Sequence, residues 1–476
     1  MIKPGKLVLQ SRWKLVHMEG LPFLLYYGIR NPPHHHDLMR KISQELAGYL
    51  QNGDPLSADC AEQEMNRLIQ DGILVAPEAV KKSKTPENMQ VCSRCVTNDY
   101  VVPGLEFNDA GVCALCQCYE TNKAPSGSVF TTVSEEKLRE AARKNNDSRF
   151  DVMLFYTGGK DSSYLLWLLA RKLKLRVIAA FWDMPYCSDA AYENIRRAKK
   201  RMPEVEFIEW SLPINTVREA MLKKWHSHGW PCLCPTVAFA LFYPLAAQLR
   251  IPYLFLGIED VQASVLDYVV VKPGAGPGTP LSDRDKTLGF LSVRSLPRPQ
   301  KTPLHWPEEM SNYHAAIQNA MPGIFSDLSA LVQKARNDDS VYMPLIGRLR
   351  KTEAYGSWVD ASQIIEREMG WQAPADQESL LHTSCILEPL KDYLQFQRFK
   401  SMHTVFMPQS IVELGAAVFF GLVTREEALR SVNELGYWAP PGILGKLTKN
   451  LGIGPEDVKA SDDQLPTGLW EWVERE

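Results

Sequence analysis

The chain has 476 residues, 45% apolar and 23% charged, enough for more than one domain with ordinary globular cores. A net charge of −3 leaves no footprint for nucleic acid, and no apolar run reaches the about 18 residues of a membrane helix. The start lacks an apolar signal core, so a cytoplasmic location is expected, where ten cysteines point to metal or catalytic thiols rather than disulfides.

Residues 7–16 and 21–27 alternate about a turn at Glu19-Gly20 and predict two strands. Residues 37–50 and 57–70 predict helices; Gly72 stops the second, and Ile73-Leu74-Val75 adds a short strand. This order resembles a winged-helix unit, and more narrowly the leader-recognition elements of peptide-maturation pathways, so residues 1–80 are expected to dock a substrate or partner. Its helices carry Arg40, Lys41 and Arg67 against Asp37, Glu45, Asp59, Glu62 and Glu64, a balance that argues against DNA. His34-His35-His36 lacks the spacing of a formed metal site and reads as a polar loop.

After the polar linker at 81–86 come Cys92-Ser93-Arg94-Cys95 and Cys113-Ala114-Leu115-Cys116, seventeen residues apart. That spacing predicts a zinc ribbon over 88–125, with four thiolates closing a tetrahedron around a structural Zn2+. Cys118 is a spare thiol beside the second pair.

From residue 150 the pattern predicts strands at 151–156, 176–182, 205–210 and 252–256, with helices at 161–173, 188–202, 214–226 and 236–249. The expected fold is α/β: a doubly wound parallel sheet over 126–275, binding its ligand at the carboxyl ends of the strands, followed by a mostly helical substrate-binding region over 276–476. At the first of those ends lies Thr157-Gly158-Gly159-Lys160-Asp161-Ser162-Ser163. The glycines let the backbone approach an anion, and the helix start behind them supplies free N–H groups. Neither the Walker spacing nor GxGxxG is present.

What the loop resembles is the SGGKDS loop of the PP-loop ATP pyrophosphatases, with Thr157 in place of the first serine. The resemblance implies the HUP-type fold and cleavage of ATP between its α and β phosphates, with an oxygen of the acceptor activated as an adenylate. It assigns Gly158, Gly159, Ser162 and Ser163 to pyrophosphate, with Thr157 as a further hydroxyl. Lys160 would neutralise charge, Asp161 would hold Mg2+, and Lys160, Asp161 and Ser162 form the catalytic set. Asp183 and Gly257, each after a later predicted strand, are adenosine-side candidates, and Lys272 would reach the phosphates from a loop.

A broader likeness spans residues 88–455. Val91-Cys92-Ser93-Arg94-Cys95-Val96, residues 103–107 and Gly111-Val112-Cys113 are similar to the amino-terminal ribbon of the N-acetyl sugar amidotransferases. Gly370-Trp371, His382-Thr383-Ser384-Cys385 and residues 421–428 are similar to that family's carboxyl-terminal part. The likeness implies conversion of an acetamido to an acetamidino group, with ammonia delivered by a separate glutaminase partner, because no glutaminase nucleophile is evident here. The acceptor would be a small molecule, sugar or peptide. An alternative is modification of a ribosomal peptide or installation of sulfur as a thioamide. For that, Cys187, Cys232, Cys234 and Cys385 offer thiols, though CxC spacing argues against an iron–sulfur cluster and favours inert buried thiols. A third reading is an ATP-sensing DNA-binding regulator. His226 and His228 offer acid, base or ligand groups, and His382 and Cys385 are spaced to share a helix face.

Overall fold

The computed structural model describes residues 7–18, 20–34, 37–54, 59–121, 130–259, 261–262, 281–296, 308–349, 356–375, 377, 379–438, 442–443, 447, 449 and 451–452. The first unit comprises β1 (Val8–Leu9), β2 (Trp13–Met18), β3 (Leu21–Tyr26), β4 (Met39–Lys41), α1 (Gln44–Asn52), α2 (Asp59–Gln70) and β5 (Leu74–Val75). Strands β2, β3 and β4 form an antiparallel sheet, and β1 pairs with β5. Leu24, Leu46, Leu68 and Ile73 fill the space between sheet and helices. The first helix starts later than its polar lead-in suggests. Ser43 is its N-cap, with Oγ accepting from Leu46 N, so residues 39–41 are free to pair with β3 instead.

The cysteine pairs follow, with α3 (Ala114–Thr121) leaving the second. The central body contains β6 (Thr131–Val133), α4 (Glu135–Lys144), β7 (Val152–Phe155), α5 (Lys160–Trp167), β8 (Val177–Asp183), α6 (Asp189–Arg201), β9 (Glu206–Ser211), α7 (Ile214–His228), α8 (Thr236–Gln248) and β10 (Tyr253–Phe255). Beyond it lie α9 (Asp283–Ser295), α10 (Glu308–Ala320), α11 (Pro322–Asn337), β11 (Leu345–Leu349), α12 (Trp358–Met369), α13 (Glu388–Lys400), α14 (Gln409–Phe419) and α15 (Arg425–Val432).

Six strands form one parallel sheet in the order β6-β11-β10-β7-β8-β9. All four residues of β7 are buried, as a central parallel strand covered on both faces requires. The sheet reaches past residue 275, into the region expected to be mostly helical. Strand β11 inserts between β6 and β10, and its Gly347 lies where a Cβ would meet the Phe255 ring at 2.9 Å.

The other units are clamped onto this body. Arg12 donates to Tyr27 O, Phe399 O and Lys400 O, capping the carboxyl end of α13, while burial lowers its guanidinium pKa to about 10. Arg425, at the start of α15, donates to Cys92 O and Cys95 O at 3.0 Å each. Among the described residues no helix is long and apolar enough to cross a membrane.

Candidate functional site

The strand order reverses at β7: β8 and β9 lie to one side and β10 to the other. In an open parallel sheet the connections leave such a point in opposite directions and open a crevice beyond the carboxyl ends of the strands. The loop 156–159 leaves β7 on one side of that crevice, and Gly257 to Glu259 leave β10 on the other.

Backbone packing shapes the loop. Gly158 has φ +72°, and a Cβ there would stand 2.3 Å from Ala191 O and 3.0 Å from Ile195 Cγ1 of α6. Its carbonyl accepts from Trp371 Nε1 at 3.0 Å and Asn194 Nδ2 at 3.2 Å. Gly159 is the N-cap of α5, tight against Ser384 and Thr383. A Cβ on Gly257 would lie 2.5 Å from both Phe155 O and Ser162 Cβ, so only glycine lets β10 approach the start of α5.

The side chains of the loop have definite partners. Ser162 Oγ accepts from Thr157 N at 3.2 Å, lies 3.1 Å from Thr157 Oγ1 and donates to Gly159 O. Ser163 Oγ lies 3.3 Å from the Tyr156 hydroxyl, on the buried side of the helix. The Lys160 N–H donates to Thr383 Oγ1 at 2.8 Å, and the Lys160 ammonium, fully buried, contacts Asp161 Oδ1. Burial opposes that charge, but Asp161 and Glu259 outweigh it and raise the pKa. Asp183, at the end of β8, accepts from Tyr192 and Ser211 hydroxyls. Lys272 lies outside the described residues.

Residues remote in sequence complete the crevice. Trp358 Nε1 donates to both oxygens of Glu259 at 3.0 Å. His382 Nε2 is 3.0 Å from Ser410 Oγ and 4.0 Å from both Glu388 and Glu413. His382 and Cys385 do not share a helix. Cys385 forms an isolated antiparallel bridge with Cys187: Ser188 N donates to Ser384 O and Ile386 N to Tyr186 O, tying the segment to the chain after β8. The signal for this crossing was the cluster 382–385 itself, whose partner no periodicity reveals.

Cys92, Cys95, Cys113 and Cys116 bring their sulfurs within 4.8 Å of one another, all buried. The Cys95–Cys113 sulfur separation is 3.8 Å, close to the ~3.8 Å edge of a tetrahedron with Zn–S bonds of ~2.3 Å. Backbone N–H groups of Arg94, Cys95 and Cys113 point at Cys92 Sγ and that of Thr97 at Cys95 Sγ, as thiolate ligands require. The donor set fits a metal ion. Cys232, Cys234 and Cys385 gather near Tyr186 but are not among the described groups whose donor atoms converge, and burial raises the pKa of each thiol. His226 is exposed at the end of α7.

No family model matches the chain, and no curated protein does. Among solved structures, the U34-tRNA thiolase NcsA from Methanococcus maripaludis with its [4Fe-4S] cluster is similar, at 16% identity over 61% of this chain and 92% of that one, with a TM-score of 0.23. A likeness that slight carries no argument about function.

Proposed function

We propose that the chain is a PP-loop ATP pyrophosphatase that activates an amide or carboxylate oxygen as an adenylate and replaces it with nitrogen, as in the N-acetyl sugar amidotransferases. One observation carries the reading: the loop 157–163 enters a helix N-terminus at the point where the strand order of the parallel sheet reverses. Gly158 and Gly159 present backbone to the pyrophosphate there, and Ser162 and Ser163 stand in the first turn of α5. Lys160 balances charge on the phosphates, with Asp161 as the residue to hold Mg2+, which when bound supplies further neutralisation. Asp183 and Gly257 flank the adenosine side. The protein positions and polarises, and positioning of this kind supplies most of the rate in phosphorus transfer.

The four clustered cysteines hold Zn2+, which supplies folding energy rather than chemistry. The first 80 residues dock a carrier, peptide or partner, and a separate glutaminase delivers ammonia. Acceptor-dependent release of pyrophosphate tests the reading, with Lys160→Ala and Asp161→Ala as inactive controls; formation of ADP and phosphate refutes it. A second reading, sulfur insertion into a peptide, draws on the gathering of Cys232, Cys234 and Cys385 beside the segment that touches the loop. Bound iron with visible absorption would favour it.

A further inference from the structure

The surroundings of the Lys160 ammonium form a cation site in their own right. Its nitrogen lies 4.8 Å from the centroid of the Trp358 ring, touches Asp161 and is 4.0 Å from Glu259 Oε2. Trp358 Nε1 holds the Glu259 carboxylate in place, so one side chain supplies both an aromatic face and the orientation of an anion. An aromatic face rimmed by carboxylates is the recognition chemistry of an ammonium group. A further observation points the same way. Glu413, on α14, has a side chain only 8% exposed; Gln262 hydrogen-bonds the carboxyl and His382 Nε2 lies 4.0 Å from its Oε2, but its Oε1 has no hydrogen-bond partner among the described residues. The charges of Glu259 and Asp161 act on it, as its own acts on Lys160.

We propose that Trp358, Glu259 and Glu413 form a cage for a free ammonium ion, which the Lys160 head group fills at rest and leaves, together with its partner Asp161, when phosphates enter the loop. The inference rests on the nucleotide reading for the second position of Lys160, and it gives the nitrogen nucleophile of that reaction a binding place. The head group of lysine and the ammonium ion carry the same charge on nitrogens of similar size, so the cage that seats one accepts the other. One proton of the ion passes to the Glu259 carboxylate, the anion that Trp358 holds in place. That transfer leaves a neutral carboxylic acid and ammonia with a free lone pair. Ammonia then forms the C–N bond at the activated carbon as the C–O bond breaks, and AMP leaves with the bonding electrons. Hydrosulfide, an anion, meets only repulsion from these carboxylates.

The test is titration of the full-length protein with 15N-ammonium chloride at constant ionic strength, read by NMR of the bound ion, with sodium as competitor. Lys160→Ala vacates the cage, so it is expected to bind ammonium at least tenfold more tightly than the wild type without nucleotide. Adding Glu413→Gln to that variant is expected to weaken binding at least tenfold, and Trp358→Leu similarly. Wild type loaded with α,β-methylene-ATP is expected to bind ammonium as the Lys160→Ala variant does, which keeps the test open should that variant not fold. A folded Lys160→Ala protein with no saturable ammonium binding, or with binding indifferent to Glu413→Gln, overturns the cage. Methylammonium bound as tightly as ammonium overturns its assignment to the free ion and gives it to an amine of the acceptor. Failure of the wild type to bind the ATP analogue counts against the nucleotide reading alone, because the Lys160→Ala titration needs no nucleotide.

Discussion

Replacing Gly158 with alanine tests whether the loop is shaped by its contact with α6. The φ of +72° lies in the left-handed region, where a Cβ costs about 1–2 kcal/mol. The added carbon would also stand 2.3 Å from Ala191 O, a helix carbonyl that cannot rotate away, and relief by backbone movement adds about 1–3 kcal/mol. Gly421→Ala isolates the first contribution, since Gly421 has φ +74° and a Cβ there would meet nothing within 4 Å. Chemical denaturation of both variants is therefore expected to show a loss of about 2–5 kcal/mol for Gly158→Ala against about 1–2 for Gly421→Ala. Nucleotide affinity, measured by calorimetry, falls only in the first. Equal losses, together with unchanged nucleotide affinity in Gly158→Ala, would refute the argument that packing on α6 sets the loop.

Asp151 accepts from Arg176 and Asn145; burial alone would raise its pKa, but these partners lower it, so its stabilising effect is present above pH ~4 and lost as pH falls through the depressed value. Asp151→Asn is expected to cost about 1–3 kcal/mol at pH 7, a difference that shrinks in acid denaturation series. Asp392 behaves oppositely: burial pushes its carboxyl up to about 7, so its presence costs stability increasingly between the unfolded value of ~4 and pH 7. Asp392→Asn should gain on the wild type as pH rises through that window, by a few kcal/mol at most, read from denaturation midpoints at pH 5 and pH 8. Cys113→Ser is expected to abolish retention of about one metal ion per chain in elemental analysis and to lower the melting temperature, whereas Cys118→Ser leaves the metal content unchanged.

The loop and the cysteine pairs were legible because each is local. Two glycines flanked by hydroxyls between an apolar run and a helix, or two CxxC pairs at ribbon spacing, state their geometry within a few residues. Strands β6 and β11 were not, since Thr131–Val133 is short and Leu345–Leu349 is broken by Gly347 and Arg348, and both owe their conformation to parallel neighbours far away in sequence. The same holds for the crevice wall. Trp358 and Thr383 meet the loop across roughly two hundred residues or more, and nothing in their local patterns distinguishes a residue facing that crevice from one facing any other interior. Met39–Lys41 reads as helix in the sequence for a related reason, because pairing with β3 overrides a weak helical preference.

Helix α14 joins the cysteine centre to the crevice, and the sign of one substitution can show it. Gly415 faces the four-cysteine cluster: a Cβ there would lie 2.3 Å from Thr97 Oγ1 and 3.3 Å from Cys95 Sγ. Two residues earlier, Glu413 lies 4.0 Å from His382 Nε2 on the crevice side, and Ser410 bonds Asp392 and neighbours His382. In an unconstrained helix interior Gly→Ala stabilises by about 1 kcal/mol. Here the Thr97 side chain is buried and β-branched, with its hydroxyl held by Cys95 Sγ, so it cannot give way without moving a cysteine of the four-sulfur cluster. Gly415→Ala is therefore expected to destabilise, to speed metal loss to a chelator several-fold, and to weaken whatever binds against Glu413. A gain of about 1 kcal/mol with unchanged metal release would mean that the four-cysteine cluster and α14 only lie side by side.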